Sequence, residues 1–209
     1  MSMACATEAR AKTTKEDQED WMSETTRCAW CQGSDLLTAY HDEEWGRPAQ
    51  TDVDLFGALT LETFQSGLSW LTVLRKRDAF RSGFAEFDVG KVSGFGEPDV
   101  TRLLADAGII RHRGKIEAAV NNAKRAVELR KEFGALRDYF KAFAVLKMPK
   151  DASDALAKPL SKDLKSRGWN FVGPATVYAF MQSVGLVNDH VPGCVARERS
   201  EAERLKAWG

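Results

Sequence analysis

Cysteine and histidine side chains near the two ends of this 209-residue sequence could together bind a metal ion. His190 and Cys194 stand four residues apart, and Cys28 and His41 lie in the first quarter of the chain. Two thiolates and two imidazoles form the closed tetrahedral shell that is typical of structural zinc. Such a site would join the N-terminal segment to the C-terminal one, and this would hold both segments in place.

Two alternative roles for these side chains remain open at this point. Cys28-x-x-Cys31 has the spacing of a zinc knuckle, so Cys31 could replace His41 in the shell. A buried free Cys194 beside a hydrogen-bonded His190 would need no metal at all. A thioredoxin-type redox pair is disfavoured, because no βαβ pattern surrounds the two cysteines.

A carboxylate among apolar and aromatic residues could recognise a flat cation. Glu62 is followed by Phe64, and Tyr40, Trp45 and Trp70 are close to it in the sequence. Stacking and cation–π contacts would hold a ring while the carboxylate matches its charge. In an arbitrary chain, a surface glutamate beside core aromatics would be the more common arrangement.

A glycine-rich turn between two short predicted helices suggests a contact with a nucleic-acid backbone. Gly168 and Gly173 allow a positive φ or a close backbone approach, and free amides at a helix start can bind phosphate. Basic residues lie on the flanks of this turn (Lys158, Lys162, Lys165, Arg167) and in a second group (Arg111, His112, Arg113, Lys115). Together with the hairpin, these lysines favour sequence-independent binding of DNA over a merely solvated helix face.

Apolar periodicity predicts an all-α fold that positions these groups. The predicted helical segments are Asp52–Leu61 leading into Thr63–Leu74, Asp99–Leu104, Lys115–Phe133, a short helix from an N-cap at Ser161 to Arg167, and Ala175–Val184. No alternating strand pattern of useful length is present.

Composition predicts one soluble intracellular domain. Hydrophobic residues make up 44% and charged residues 29% of the chain, and no apolar run approaches a membrane span. We expect a disordered tail over residues 1–25, a domain over 26–197 and a C-terminal tail over 198–209. The formal net charge of zero argues against a wholly basic nucleic-acid-binding protein, so basic groups must be concentrated on one face.

Five ordered sequence blocks resemble the 3-methyladenine DNA glycosylase I family. The blocks are Arg-Cys-Ala-Trp at 27–30, Tyr-His-Asp-Glu-Glu-Trp-Gly at 40–46, Leu-Glu-x-x-Gln-x-Gly-Leu-Ser-Trp at 61–70, Ala-Gly-Ile-Ile-Arg-His-Arg-Gly-Lys-Ile at 107–116, and Phe-Val-Gly-Pro through Val-Asn-Asp-His at 171–190. The resemblance implies a helix-hairpin-helix DNA glycosylase fold. It also implies a monomer that flips out 3-methyladenine and releases it by hydrolysis from alkylated double-stranded DNA. We expect it to be cytoplasmic, associated with the nucleoid in a bacterium or nuclear in a eukaryote.

The resemblance also implies roles for individual side chains. One structural zinc would be held by Cys28, His41, His190 and Cys194, which leaves Cys31 as a bystander. The methylated base would be read by Glu62, stacked on Trp70 and enclosed by Tyr40 and Trp45. The DNA-binding residues would be Gly67, Leu68, Lys162, Lys165 and Gly173, with the Gly67–Leu68 loop filling the gap left by the flipped nucleotide.

Two departures from related sequences affect this prediction. Leu37 stands where relatives often have an aromatic residue, and Asn188 stands where many helix-hairpin-helix glycosylases have a catalytic Asp, with Asp189 one position later. Because methylation makes adenine cationic, the base leaves as a neutral group and needs less anionic assistance. No lysine occupies a convincing nucleophile position, so hydrolysis without strand cleavage is expected. The competing hypotheses are a catalytically drifted zinc-containing DNA-binding module, supported only by Leu37, and a zinc-stabilised protein-interaction domain.

Overall fold

The computed structural model describes residues 26–149 and 153–209, and all regular structure within these ranges is helical. The predicted all-α class is therefore confirmed, while the expected tail over residues 1–25 lies outside the described ranges. The α-helices are α1 (Asp35–Glu43), α2 (Asp52–Gln65), α3 (Trp70–Leu74), α4 (Arg77–Gly83), α5 (Val89–Ser93), α6 (Glu97–Ala105), α7 (Arg113–Phe133), α8 (Leu136–Lys141), α9 (Lys158–Ser166), α10 (Pro174–Ser183) and α11 (Arg197–Trp208). Short 3₁₀ turns span Ala29–Cys31, Ala85–Phe87 and Asp154–Ala157. No helix within the described ranges has the length and apolar character needed to cross a membrane.

Helix α2 runs through the core and carries Glu62. It begins at a capping box, in which the Thr51 hydroxyl accepts from the Asp54 amide at 3.1 Å and the Asp54 carboxylate accepts from the Thr51 amide at 3.0 Å. Its apolar face, which includes Leu55 and Leu59, is buried against α7 and α10. This packing fixes the axis of the helix on which Glu62 lies.

The chain does not continue from α2 as one helical segment through Leu74, although the apolar periodicity predicts that it should. Helix α2 ends at Gln65, and Gly67 adopts a φ of +83°, which favours glycine at the end of a helix. A new helix, α3, starts after Ser69, whose hydroxyl accepts from the Thr72 amide at 3.2 Å. The four residues between the helices form a surface loop, and the Leu68 side chain is exposed in it.

Helices α9 and α10 form a hairpin through residues 167–173. Gly168 has a φ of +80°, so the predicted need for glycine holds at this position. The predicted N-cap at Ser161 is wrong, because α9 already begins at Lys158 and Ser161 lies inside it. The buried Ser161 hydroxyl instead donates to the carbonyl of Val172 at 2.7 Å and so fastens the helix to the turn.

Residues 198–208 of the expected C-terminal tail belong to helix α11, which packs on the core. Trp208 is buried, and the fully buried Arg204 donates to the carbonyls of Gly185 at 3.2 Å and Leu186 at 2.9 Å. These hydrogen bonds hold the segment that follows α10 and leads to His190. The sequence pattern does not predict this packing, because the segment is short and strongly charged and only a few of its side chains are buried.

Candidate functional site

The predicted metal ligands converge on one point. The Sγ atoms of Cys28 and Cys194, Nε2 of His41 and Nδ1 of His190 all lie within 4.8 Å of one another, and all four residues are buried. Cys28 precedes the first 3₁₀ turn, His41 lies in α1, and the other two follow α10. The cluster therefore joins the two ends of the domain, as expected for such a site.

The distances within the cluster match a tetrahedral zinc shell. Zn–S and Zn–N bonds of about 2.3 and 2.05 Å at tetrahedral angles place two nitrogens about 3.3 Å apart, and sulfur and nitrogen about 3.6 Å apart. The two imidazole nitrogens are 3.3 Å apart. Cys194 Sγ lies 3.4 Å from His41 and 3.5 Å from His190, and Cys28 Sγ lies 3.8 Å from His190. These four distances and the chemistry of the donors fit a site for one zinc ion.

Each histidine of the cluster has an oxygen acceptor on its other ring nitrogen. His41 Nδ1 lies 2.8 Å from the carboxylate of Asp42, which in turn accepts from Arg27 at 3.0 Å. His190 Nε2 lies 3.3 Å from the carbonyl of Trp45. Such acceptors fix the tautomer and the orientation of a metal-binding imidazole. The arrangement leaves the cluster-facing nitrogens as lone-pair donors.

The zinc-knuckle alternative does not fit the structure. The Cys31 thiol donates to the carbonyl of Cys28 at 3.0 Å, and Cys31 is not part of the cluster. His41 supplies the fourth donor in its place. Sequence spacing could not decide this, because the choice depends on how α1 packs against the first 3₁₀ turn.

A cavity of about 470 Å³ lies beside the cluster and contains the predicted pocket residues. Its lining consists of Cys28, Ala29, Trp30, Tyr40, Trp45, Glu62, Gln65, Trp70, Ala179, Gln182, Asp189 and Val191. Glu62 is only 6% exposed, and within the described residues its carboxylate has no hydrogen-bond partner. Burial raises the pKa of Glu62 to about 8, so the free protein holds this carboxyl largely protonated at neutral pH.

Aromatic rings form the walls around this carboxyl group. The ring centroids of Tyr40 and Trp70 are 5.2 Å apart, and the buried indole N–H of Trp70 has no hydrogen-bond partner within the described residues. Burial, followed by the nearby charge of Glu62, raises the pKa of Tyr40 well above its ordinary value. Trp45 packs on the imidazole of His190 at 4.6 Å, so the cluster supports one wall of the pocket. Trp30, which its sequence block does not mark as a pocket residue, packs on Trp45 at 5.0 Å and also lines the cavity.

Asn188 and Asp189 face different parts of the molecule. The Asn188 amide donates to the carboxylate of Glu201 at 2.8 Å and to the carbonyl of Arg197 at 3.1 Å, so Asn188 serves the packing of α11. Asp189 lines the cavity and accepts from Gln182 at 2.5 Å. The cavity therefore contains a second carboxylate, which the sequence marks only by its position next to Asn188.

Leu37 does not open the pocket. It is not among the cavity-lining residues and instead packs, half-buried, against the cluster that includes Tyr40 and Trp45. The argument against the drifted DNA-binding module is instead the intact pocket lining, which includes Glu62, Tyr40, Trp45 and Trp70.

Some of the predicted basic residues are exposed without an ion pair among the described residues, and others form ion pairs within the protein. Lys162 and Lys165 on α9 are exposed, and neither is in an ion pair within the described residues. Arg167 instead pairs with Glu132 and Asp163, both at 2.7 Å. At Gly173, which precedes α10, φ is −65°, so this position does not require the conformational freedom of glycine.

Two of the three cations in the second basic group form contacts within the protein. Arg113 pairs with Glu97 at 2.9 Å and with Glu117 at 3.2 Å. Lys115 is buried, and its ammonium donates to backbone carbonyls. Arg111 alone among the three cations remains exposed without an ion pair in the described part of the chain.

Comparison with known proteins yields one consistent family. A family model described as methyladenine glycosylase matches residues 30–198. The chain is 44% identical to DNA-3-methyladenine glycosylase 1 of Escherichia coli (strain K12) over 80% of this chain and 95% of that protein. A Staphylococcus aureus structure described as showing 3-methyladenine recognition by 3-methyladenine DNA glycosylase I superposes with a TM-score of 0.77 at 32% identity, covering 83% of this chain and 97% of that one. A related structure in complex with 3-methyladenine gives a TM-score of 0.75 at 32% identity, covering 82% and 97%.

Proposed function

Because the chain belongs to the methyladenine glycosylase family, we propose that it removes 3-methyladenine from alkylated double-stranded DNA by hydrolysing the N-glycosyl bond, as an enzyme of base excision repair. The observation that carries this proposal is Glu62, a buried carboxyl group without a partner among the described residues, in an aromatic-walled cavity. An unpaired buried carboxylate is costly, and a cationic ring offsets that cost whereas a neutral ring does not. The site therefore has the chemistry to distinguish a methylated adenine from the normal base.

The positive charge of the methylated base makes it a good leaving group, so the enzyme can act mainly by binding it. When the bond between C1′ of the sugar and N9 breaks, its electron pair moves into the ring and neutralises the cationic base. The sugar cation then takes up the oxygen of a water molecule and releases a proton. Most of what the protein must supply is therefore capture of the flipped nucleotide and access for one water.

We also propose roles for individual side chains. Glu62 contacts the cationic base, Trp70 and Tyr40 stack against it, and Trp45 closes the wall next to the metal cluster. Gly67 and Leu68 form the loop that enters the duplex at the vacated position, because this loop is exposed at the end of the helix that carries Glu62.

DNA is held by the hairpin of α9 and α10, which we assign as a helix-hairpin-helix. Lys162 and Lys165 supply positive charge, and the backbone around Gly173 presents the free amides of α10 to a phosphate. We also assign one structural zinc to Cys28, His41, His190 and Cys194. When bound, the metal cross-links the ends of the domain, and it takes no part in the reaction.

The test is release of free 3-methyladenine from methylated duplex DNA. Wild-type protein should release the base, and Glu62→Gln should be slower by roughly 10- to 100-fold, the range expected for loss of a charged hydrogen bond. The exposed Glu198→Gln serves as the matched control and should behave as wild type. Strands should remain intact until alkali is added, since no lyase step is proposed. Absence of base release, or full activity in Glu62→Gln, contradicts the proposal, and nicking without alkali contradicts its hydrolytic part.

A further inference from the structure

The Lys115 side chain is buried yet has no counterion among the described residues. It is 7% exposed, and its Nζ donates to the carbonyls of Phe64 at 2.9 Å and Ser66 at 2.6 Å. Burial lowers the pKa of this ammonium group. A buried lysine is uncommon, and one whose donors go to a single stretch of backbone is placed to hold that stretch.

The backbone that Lys115 holds is the end of α2. The last carbonyls of a helix lack partners within the helix and carry partial negative charge, so a cation is favoured there. The same turn is closed from its other side, because the Gln65 side chain donates to the carbonyl of Leu68 at 2.8 Å and the Leu68 amide donates to the carbonyl of Gln65 at 2.7 Å. The loop that presents Leu68 is therefore fixed by side chains despite its exposure.

A second side chain of the same helix holds the hairpin turn. The buried Asn122 accepts from the amide of Asn170 at 2.8 Å and donates to the carbonyl of Asn170 at 2.9 Å. Lys115 and Asn122 are seven residues apart on α7, which is two turns or about 10 Å along the axis. Helix α7 thus forms hydrogen bonds to both loops that are proposed to contact DNA.

We propose that Lys115 is a positioning residue for base excision: from α7 it fixes the Ser66–Leu68 loop, so that Leu68 meets the duplex at a set distance from the hairpin. This inference rests on the proposed function, because it needs the loop and the hairpin to contact DNA together. A simple structural role predicts a loss of stability alone. A positioning role also predicts a loss of excision that acts through Leu68.

The experiment compares Lys115→Met with a matched lysine. Lys76 also donates from Nζ to two carbonyls, those of Ala107 at 2.8 Å and Gly108 at 3.1 Å, in a loop that has no assigned role in DNA contact. Single-turnover release of 3-methyladenine from methylated duplex, affinity for free 3-methyladenine and thermal stability are measured for Lys115→Met, Lys76→Met, Leu68→Ala and the Lys115→Met/Leu68→Ala double variant. Lys115→Gln, which keeps an N–H donor, replaces Lys115→Met if the latter does not fold.

Lys115→Met should excise roughly 10- to 100-fold more slowly, since misplacement of a reacting group by about 1 Å has effects of this size. Its affinity for the free base should stay within about twofold of wild type, because the pocket itself is unchanged. Lys76→Met should excise like wild type, and the double variant should be no slower than Leu68→Ala.

Three results would overturn the inference while leaving the proposed function intact. These are wild-type excision by Lys115→Met, an equal loss of excision and of free-base affinity, and independent, multiplying effects of Lys115→Met and Leu68→Ala. If Leu68→Ala itself excises like wild type, the proposed role of the loop fails and the inference fails with it. If Leu68→Ala is impaired and Lys115→Met is not, only the inference about Lys115 is wrong.

Discussion

The Cys/His cluster and the aromatic pocket lie next to each other, but their buried polar groups are satisfied in opposite ways. Tyr40 and His41 are consecutive residues of α1, yet one lines the pocket and the other belongs to the cluster. In the cluster, each imidazole has a partner on both nitrogens, counting the cluster itself. In the pocket, the carboxyl group of Glu62 and the indole N–H of Trp70 have no hydrogen-bond partner within the described residues.

This difference indicates which region stabilises the fold and which one is reserved for a ligand. Buried polar groups that satisfy one another, especially around a metal, contribute to folding. Buried polar groups left unsatisfied reduce the free energy of unfolding until a ligand provides the missing partner. The comparison therefore predicts that substitutions in the two regions change stability in opposite directions.

The largest expected effect is the loss of the cluster. Cys194→Ser should remove about one equivalent of zinc and lower the melting temperature by roughly 10 °C or more, because metal binding and folding are coupled. Metal content by atomic absorption and thermal unfolding measure the two quantities on the same sample. Excision should fall as well, since Trp45 packs directly on His190.

Cys31→Ser is the control for that experiment. Its thiol is buried near the cluster but bonds a carbonyl, so this variant should keep its zinc. If Cys194→Ser retains a full equivalent of zinc, the assignment of the metal to this cluster is wrong. If Cys31→Ser loses the metal while His41→Ala keeps it, the knuckle arrangement is correct instead.

The second effect is a gain in stability when the unpaired carboxyl is removed. Glu62→Gln should be more stable than wild type at pH 9, by at most about 5 kcal/mol, the value reached if the full pKa shift is expressed in the unfolding free energy. Urea unfolding of both proteins at several pH values measures the difference. Equal stabilities at pH 9 would contradict the idea that this carboxylate destabilises the folded protein.

The sign of this effect follows from the two pKa values. The unfolded carboxyl titrates near its ordinary value of 4.5, and the folded one near 8. Below pH 4.5 both states hold the proton, so wild type keeps its full stability there. Between these values the unfolded chain releases a proton that the folded chain keeps, so wild-type stability falls until the pH passes about 8. The advantage of Glu62→Gln should therefore be absent at about pH 4 and grow through this interval.

Much of both regions can be predicted from the sequence, because its ordered blocks resemble those of the methyladenine glycosylase family. The cluster of four cysteine and histidine side chains, and the convergence of Glu62 with Tyr40, Trp45 and Trp70, appear in the structure as expected. Apolar periodicity also predicts helix α7 closely. These features depend on local patterns or on chemistry that few other residues can perform.

What the sequence could not provide is the direction in which a polar side chain points. The pattern around Arg113 and Lys115 indicates surface charges for DNA, but one is in ion pairs and the other is buried under a helix end. Asn188 and Asp189 differ by one position and serve different parts of the fold. In each case contacts between segments far apart in the sequence decide where the side chain points. Such contacts cannot be inferred from a local sequence pattern.

The smallest effect, and the most specific to the pocket, is the pH dependence of lesion capture. The methyl group fixes the positive charge of the base in DNA at any pH, so only the protein side of the contact titrates. Because the pKa of Glu62 in the free protein is about 8, capture of the cation near neutral pH requires this carboxyl to release its proton. The ratio of the single-turnover rate to the half-saturating enzyme concentration should therefore rise with pH and level off above about pH 8.

Between about pH 6 and pH 8 the ionised fraction of such a group increases by about 50-fold, which sets the upper limit of the rise. Tyr40 does not contribute in this interval, because its own pKa is raised well above its ordinary value. Glu62→Gln should be slower at about pH 8 and show a flat profile across the same range. A flat wild-type profile, or an equal slope in Glu62→Gln, would mean that capture of the methylated base is not coupled to deprotonation of Glu62.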